Sequence, residues 1–153
     1  MRSIYRAVCP SVFALVLSVG CAQAQIPEEG GSSQCGTLGF AVATKGSNFI
    51  TLGTSSLRPG TGVTFELATS PKFNKEIFSV DGVYNFPLSQ TSMINGVVGA
   101  GFCFGWDMDM DDPVFGLSLS AAIQMRTGTT VLGVRWKSYH RTQAIGLTVG
   151  FPT

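Results

Sequence analysis

The residues able to carry chemistry are few, and spacing disqualifies most of them. His140 is the only histidine, so any serine–histidine–acid catalysis would have to run through it. Ser138 stands two positions earlier, on what would be the outward side of a strand, and no wider catalytic pattern accompanies the pair. The run Asp107-Met108-Asp109-Met110-Asp111-Asp112 opens like a calcium loop, with acidic side chains at alternate positions. It then fails, because Asp112 occupies the place of the turn glycine and Ser118 that of the bidentate glutamate; a solvated acidic loop is the expectation. Zinc-ligand spacing, phosphate-binding loops and nucleotide fingerprints are absent from the sequence. The residues therefore predict a non-enzymatic protein with no catalytic set, no metal site and no cofactor. What remains is a group of charges, Glu66, Asp81, Arg126, Arg135 and Lys137, whose meaning depends on the side of the chain they occupy.

The elements that carry them read as strands. From Thr37 onward, about eight segments alternate large apolar residues with small or polar ones and are separated by turn residues, the period of two expected of β-structure. Leu38, Phe40 and Val42 oppose Gly39, Ala41 and Ala43 in the first segment, and Phe49 to Thr54 form the second. In the third, Val63, Phe65 and Leu67 oppose Thr64, Glu66 and Ala68. Phe78, Val80 and Tyr84 oppose Ser79, Asp81 and Asn85 in the fourth. The fifth runs from Met93 to Trp106. The sixth alternates strictly from Phe115 to Arg126. The seventh sets Leu132, Val134 and Trp136 against Gly133, Arg135, Lys137 and Tyr139. The last sets Ile145, Leu147, Val149 and Phe151 against Gly146, Thr148 and Gly150.

Alternation fits a soluble barrel with an apolar inside and a membrane barrel with an apolar outside equally well. The second face decides. It is mostly Gly, Ala and Ser with occasional charges, which suits the crowded interior of a narrow barrel, so the large residues are expected to face lipid. A charged fraction of 12%, about half that of a usual soluble domain, points the same way. The net charge of +1 leaves no electrostatic footprint for nucleic acid. Trp106, Tyr84, Phe86 and Tyr139, near segment ends, are expected in interfacial girdles. The uncharged stretch from Pro87 to Trp106 could span as a helix, with Gly101 and Gly105 at helix-packing spacing, but its glycines and its alternation favour a strand.

The N-terminus predicts export. Arg2 and Arg6 precede an apolar stretch from Ala7 to Gly20, and Ala22-Gln23-Ala24 is a small-x-small cleavage pattern. Residues 1–24 are thus expected to be a signal peptide, 25–36 a flexible lead and 37–151 a single barrel domain. Leu17 to Cys21 loosely matches a lipobox, a second way of processing the same region. Cys35 and Cys103 remain in the mature chain.

Val80-Asp81-Gly82-Val83-Tyr84-Asn85-Phe86-Pro87-Leu88, followed by Val97-Val98-Gly99-Ala100-Gly101-Phe102, resembles a strand, short periplasmic turn and glycine-rich strand of the small outer-membrane β-barrels, the OmpA-like, OmpX-like and opacity-protein group. Ala144-Ile145-Gly146-Leu147-Thr148-Val149-Gly150-Phe151 is similar to their C-terminal assembly signal, although Ala144 replaces a polar residue and Pro152-Thr153 follow the aromatic. The resemblance covers roughly residues 37–151. It implies an all-β, antiparallel up-and-down transmembrane barrel of about eight strands in a bacterial outer membrane, in contact with lipid and lipopolysaccharide, and handled by the barrel-assembly machinery through residues 144–151.

Periplasmic termini, as in that group, place short connections near Lys45, at residues 71–74, at 107–113 and at 140–142 on the outer side. They also put Cys35 and Cys103 about 30 Å apart, the thickness of the hydrocarbon layer. A disulfide needs Cα atoms within about 7 Å, so both thiols should be free. Buried charges persist only when paired; Glu66 and Asp81 are therefore expected to meet Arg135 and Lys137 in a lumen network that also includes Arg126. The function expected is a non-enzymatic envelope protein with a filled lumen, in envelope structure or surface interaction. The alternatives are a narrow channel for small solutes and a soluble barrel that binds a small apolar ligand.

Overall fold

The structure is a computed structural model that describes residues 34–44, 47–90, 93–107 and 112–152. Eight strands, β1 (Gln34–Ala43), β2 (Asn48–Ser56), β3 (Gly60–Thr69), β4 (Lys75–Pro87), β5 (Ile94–Asp107), β6 (Asp112–Thr127), β7 (Thr130–Tyr139) and β8 (Thr142–Pro152), pair in sequence order into a closed antiparallel barrel. The closing ladder joins β8 to β1 from Ala43↔Ala144 to Cys35↔Pro152. That ladder and the β1–β2 ladder, which reaches Gln34↔Ser56, draw residues 34–36, expected to be part of the flexible lead, into β1. The stretch with helix-spanning length is instead the end of β4, the connection 88–93 and most of β5. The acidic connection is shorter than expected, because Asp107 pairs with Asp112 and Trp106 with Pro113. The proposed signal peptide and lipobox lie outside the described residues.

One end of the barrel, here the terminal end, carries the chain entry at Gln34, the exit at Pro152 and the connections 57–59, 88–93 and 128–129. The far end carries the connections 44–47, 70–74, 108–111 and 140–141. Gly128 (φ 59°) and His140 (φ 50°) each take the first position of a two-residue turn, where a positive φ gives the mirror-image hairpin turn that matches strand twist. Glycine does this freely. His140 is held there by its N–H donating to Leu117 O at 3.0 Å, with its imidazole lying where a side chain on Gly116 would otherwise project.

The β2–β3 seam is the shortest ladder, with four register pairs from Ile50↔Thr69 to Gly53↔Glu66. Beyond it, side chains replace the ladder: Phe65 N donates to Thr54 Oγ1 at 3.1 Å, and Asn85 Nδ2 donates to Ser56 O at 2.8 Å.

The two faces follow the alternation. Leu38, Phe40, Phe102, Leu119, Ile145 and Leu147 stand on the outside with half or more of their surface uncovered, and Phe115 reaches 71%. Thr64, Glu66, Ser79, Asp81, Ser118 and Lys137 are buried inside. The expectation that all large apolar residues face outward fails for Val83, Val97 and Val131, buried on the inward parity of the terminal half, and most fully at the far end. There Phe49 and Ile77, both fully buried, join Ala41, Ala43, Ala68, Cys103, Tyr139 and Ala144 in an apolar plug. Phe49 shares its inward parity with Thr51, and Ile77 with Ser79 and Asp81.

Candidate functional site

Below that plug lies the only cluster of buried opposite charges among the described residues. Glu66 on β3, Asp81 on β4, and Arg135 and Lys137 on β7 all point inward because each occupies the same parity of its strand. Arg135 Nη1 and Tyr139 OH donate to the two oxygens of Glu66. Lys137 Nζ lies 2.7 Å from Asp81 Oδ2 and 3.3 Å from Glu66 Oε1, donates to Ser79 Oγ at 2.6 Å and sits 5.3 Å from the centre of the Tyr139 ring. Ser118 Oγ donates to the other oxygen of Asp81. Two carboxylates thus face two cations, and the formal charges cancel. That balance is what an interior of low dielectric requires.

Glycine makes one of these contacts possible. Gly101 is the register partner of both Asp81 and Ser118, so Ser118 reaches Asp81 across β5 through the space its missing side chain leaves. A Cβ on Gly101 would run into Val80 O and come within 2.7 Å of Asp81 Oδ1.

Of the five charges expected in the lumen network, the structure brings together Glu66, Asp81, Arg135 and Lys137 and leaves Arg126 out. Arg126 has the right parity but stands near the terminal end of β6, opposite Val131 at the start of β7, and is exposed. Within the cluster Asp81 pairs with Lys137 rather than with Arg135. Tyr139, expected in an interfacial girdle, is instead buried in the lumen as a donor to Glu66, and packs against Phe49 with ring centres 6.1 Å apart. Its parity with Arg135 and Lys137 was the signal. Ser79 and Ser118 were legible only as small inward residues, not as partners of the charges.

The remaining candidates do not assemble. Ser138 lies on the outer parity of β7, whereas the His140 ring covers the inner side of Gly116. Asp107 pairs with Lys75 at 3.1 Å, and residues 108–111 of the acidic run lie outside the described residues. Cys35 and Cys103 are both free and buried, at the terminal and far ends respectively. Two cavities of about 10 Å³ each flank Arg135, one beside Glu66 and Thr51, the other beside Asp81 and Ser55.

No protein-family model matches the chain, and no curated protein matches it. Solved structures do. A structure described under "De novo design of transmembrane beta-barrels" superposes with a TM-score of 0.66 over 83% of this chain and 100% of that one, at 13% identity. The solution NMR structure of the de novo designed TMB2.3 gives a TM-score of 0.58 over 82% of this chain and 98% of that one, also at 13% identity. The fold is that of a transmembrane β-barrel. At such identity the likeness concerns the path of the chain alone, so the membrane-barrel reading of the faces rests on this sequence's own residues.

Proposed function

We propose that this chain is a non-enzymatic integral protein of a bacterial outer membrane, similar to the OmpA-like, OmpX-like and opacity-protein group. Its side-chain-filled lumen would serve envelope structure or surface interaction. The observation that carries the reading is the inversion of the barrel: large apolar side chains stand uncovered around the outside while two ion-paired carboxylates and their cations are buried within. In water, that outer surface would be an apolar patch far beyond what a monomeric soluble protein exposes; in a bilayer it meets acyl chains, and closure of the barrel leaves no free edge strand, with side chains bridging where the β2–β3 ladder stops.

An apolar ligand has no place in such an interior, which speaks against the soluble-barrel reading. The apolar plug and the small size of the two lumen cavities among the described residues, about 10 Å³ each, give the channel reading little support. Lipid and lipopolysaccharide are the proposed partners of the outer face, and residues 144–151 the segment offered to the assembly machinery. Membrane fractionation with gel mobility of unboiled samples tests the proposal. The protein is expected in the outer-membrane pellet, migrating differently before and after boiling; recovery in the soluble fraction with a single mobility would sink it.

A further inference from the structure

Three side-chain oxygens at the terminal end of the lumen have no donor. Asn85, fully buried, gives its Nδ2 to Ser56 O. Gln124, 3% exposed, gives its Nε2 to Ser55 Oγ. Asn95, 7% exposed, faces Gln124 directly across the β5–β6 ladder. The carbonyl oxygen of each of the three carboxamides is buried and unpaired. Asn85 stands one rung from Asn95, since Pro87 pairs with Asn95 and Asn85 with Val97. Side chains directly opposite on neighbouring strands are about 5 Å apart and diagonal ones about 7 to 8 Å, so the three belong to one layer. Buried acceptors are normally satisfied, because leaving one bare forfeits its hydration without return. Three bare acceptors in one layer make a site that calls for a donor.

Charge and size select the donor. Acceptors alone repel an anion. A metal or ammonium ion is disfavoured by Arg126, on the same parity of β6 two positions beyond Gln124, and by Arg135 further in, while both buried carboxylates already hold cations. Next to that layer, the cavity bounded by Ser55, Asp81, Ser120, Arg135 and the inward Val83 and Val97 measures about 10 Å³, the room of one water molecule, and so does the one beside Glu66. Ser55 links the layers, being the partner of Gln124 and a wall of the cavity.

We propose that the terminal half of the lumen is a dead-end hydration chamber. Ordered water bridges the carboxamide oxygens of Asn85, Asn95 and Gln124 and continues past Ser55 to the Asp81–Arg135 cavity, and the Phe49–Ile77–Tyr139 plug stops it short of the far end. Water therefore reaches the ion cluster from the end that bears the chain termini. The proposal rests on the filled barrel and not on which membrane holds it, so fractionation can fail while the chamber stands, and the reverse.

NMR of the folded protein in detergent micelles tests it through magnetisation transfer from water. Transfer is expected to the side-chain amide protons of Asn85, Asn95 and Gln124, and none to the Ile77 methyls or the Phe49 ring. Silence at the carboxamides, or transfer at the plug, overturns the proposal, as does loss of the carboxamide signals on adding sodium or ammonium, which would make the occupant a cation. Asn95→Leu gives a second readout. In a dry layer it removes a bare acceptor and raises the urea midpoint; in a hydrated one it breaks a water bridge, leaves the midpoint unchanged or lower, and weakens transfer at Gln124. A raised midpoint counts against the chamber.

Discussion

Lys137 holds the lumen together at the scale of single residues, because among the described residues it is the one cation within 4 Å of both carboxylates. Lys137→Met leaves two buried carboxylates with one cation, and removing one partner of a buried pair costs about 3–5 kcal/mol. The expected outcome is a loss of that size in urea unfolding, partly recovered in the double variant Lys137→Met/Asp81→Asn, which restores the charge balance; a single variant as stable as the parent would remove the cluster from the account of stability. Gly101→Val tests the space behind the Ser118–Asp81 contact. The new side chain has no room against Val80 O and Asp81, so a marked loss of the heat-modifiable form is expected, against little change for Val on the outer side at Gly82, where the nearest atom is 3.8 Å away. At this scale parity made Glu66, Asp81, Arg135 and Lys137 legible. Arg126 has the same parity and still stands apart, because parity gives the side of a strand but not the depth along it, and depth comes from the stagger between strands.

Among the elements, strand identity was legible and the joints between strands were not. The first strand begins earlier than its sequence pattern because β2 pairs with it from Gln34 and β8 from Cys35, and partners some twenty or more than a hundred positions away leave no mark on local periodicity. The β2–β3 seam is hidden for a related reason. Thr54, Ser55 and Ser56 look like the tail of an ordinary strand, but the ladder with β3 stops at Gly53↔Glu66, and Thr54 Oγ1 takes the Phe65 N–H in place of a carbonyl. Local opening concentrates where ladder bonds are few. Amide exchange in the terminal half of β3 is therefore expected to be faster than in β5, which is paired on both sides from Asn95 to Asp107. Equal protection in the two strands would mean that the side-chain bridges seal the seam as firmly as a ladder.

For the whole molecule, the inversion of inside and outside was readable from the small and polar character of one face, but the layering of the interior was not. Phe49 and Ile77 break the rule that large apolar residues look outward at the far end, where they form a floor of carbon above the charges, and the smaller Val83, Val97 and Val131 break it in the terminal half. That grading emerges when strands from distant parts of the sequence are stacked at their observed stagger. The wall itself follows from the order of pairing. A permutant in which residues 34 and 152 are joined by a short linker and the chain is opened between Gly128 and Thr129 makes the same eight ladders, and is expected to keep the heat-dependent mobility shift; its absence would show that the natural order of strands is needed for closure.

The β1–β8 ladder also sets a clock. Each of its rungs, from Ala43↔Ala144 to Cys35↔Pro152, ties the beginning of the barrel to its end, so the cylinder cannot exist while the chain is still being made. Until β8 arrives, both β1 and β7 present bare edges that any passing strand can borrow. A growing or unfinished copy is thus a sheet in search of a partner, and whatever escorts it must shield those two edges until the last strand shuts the wall.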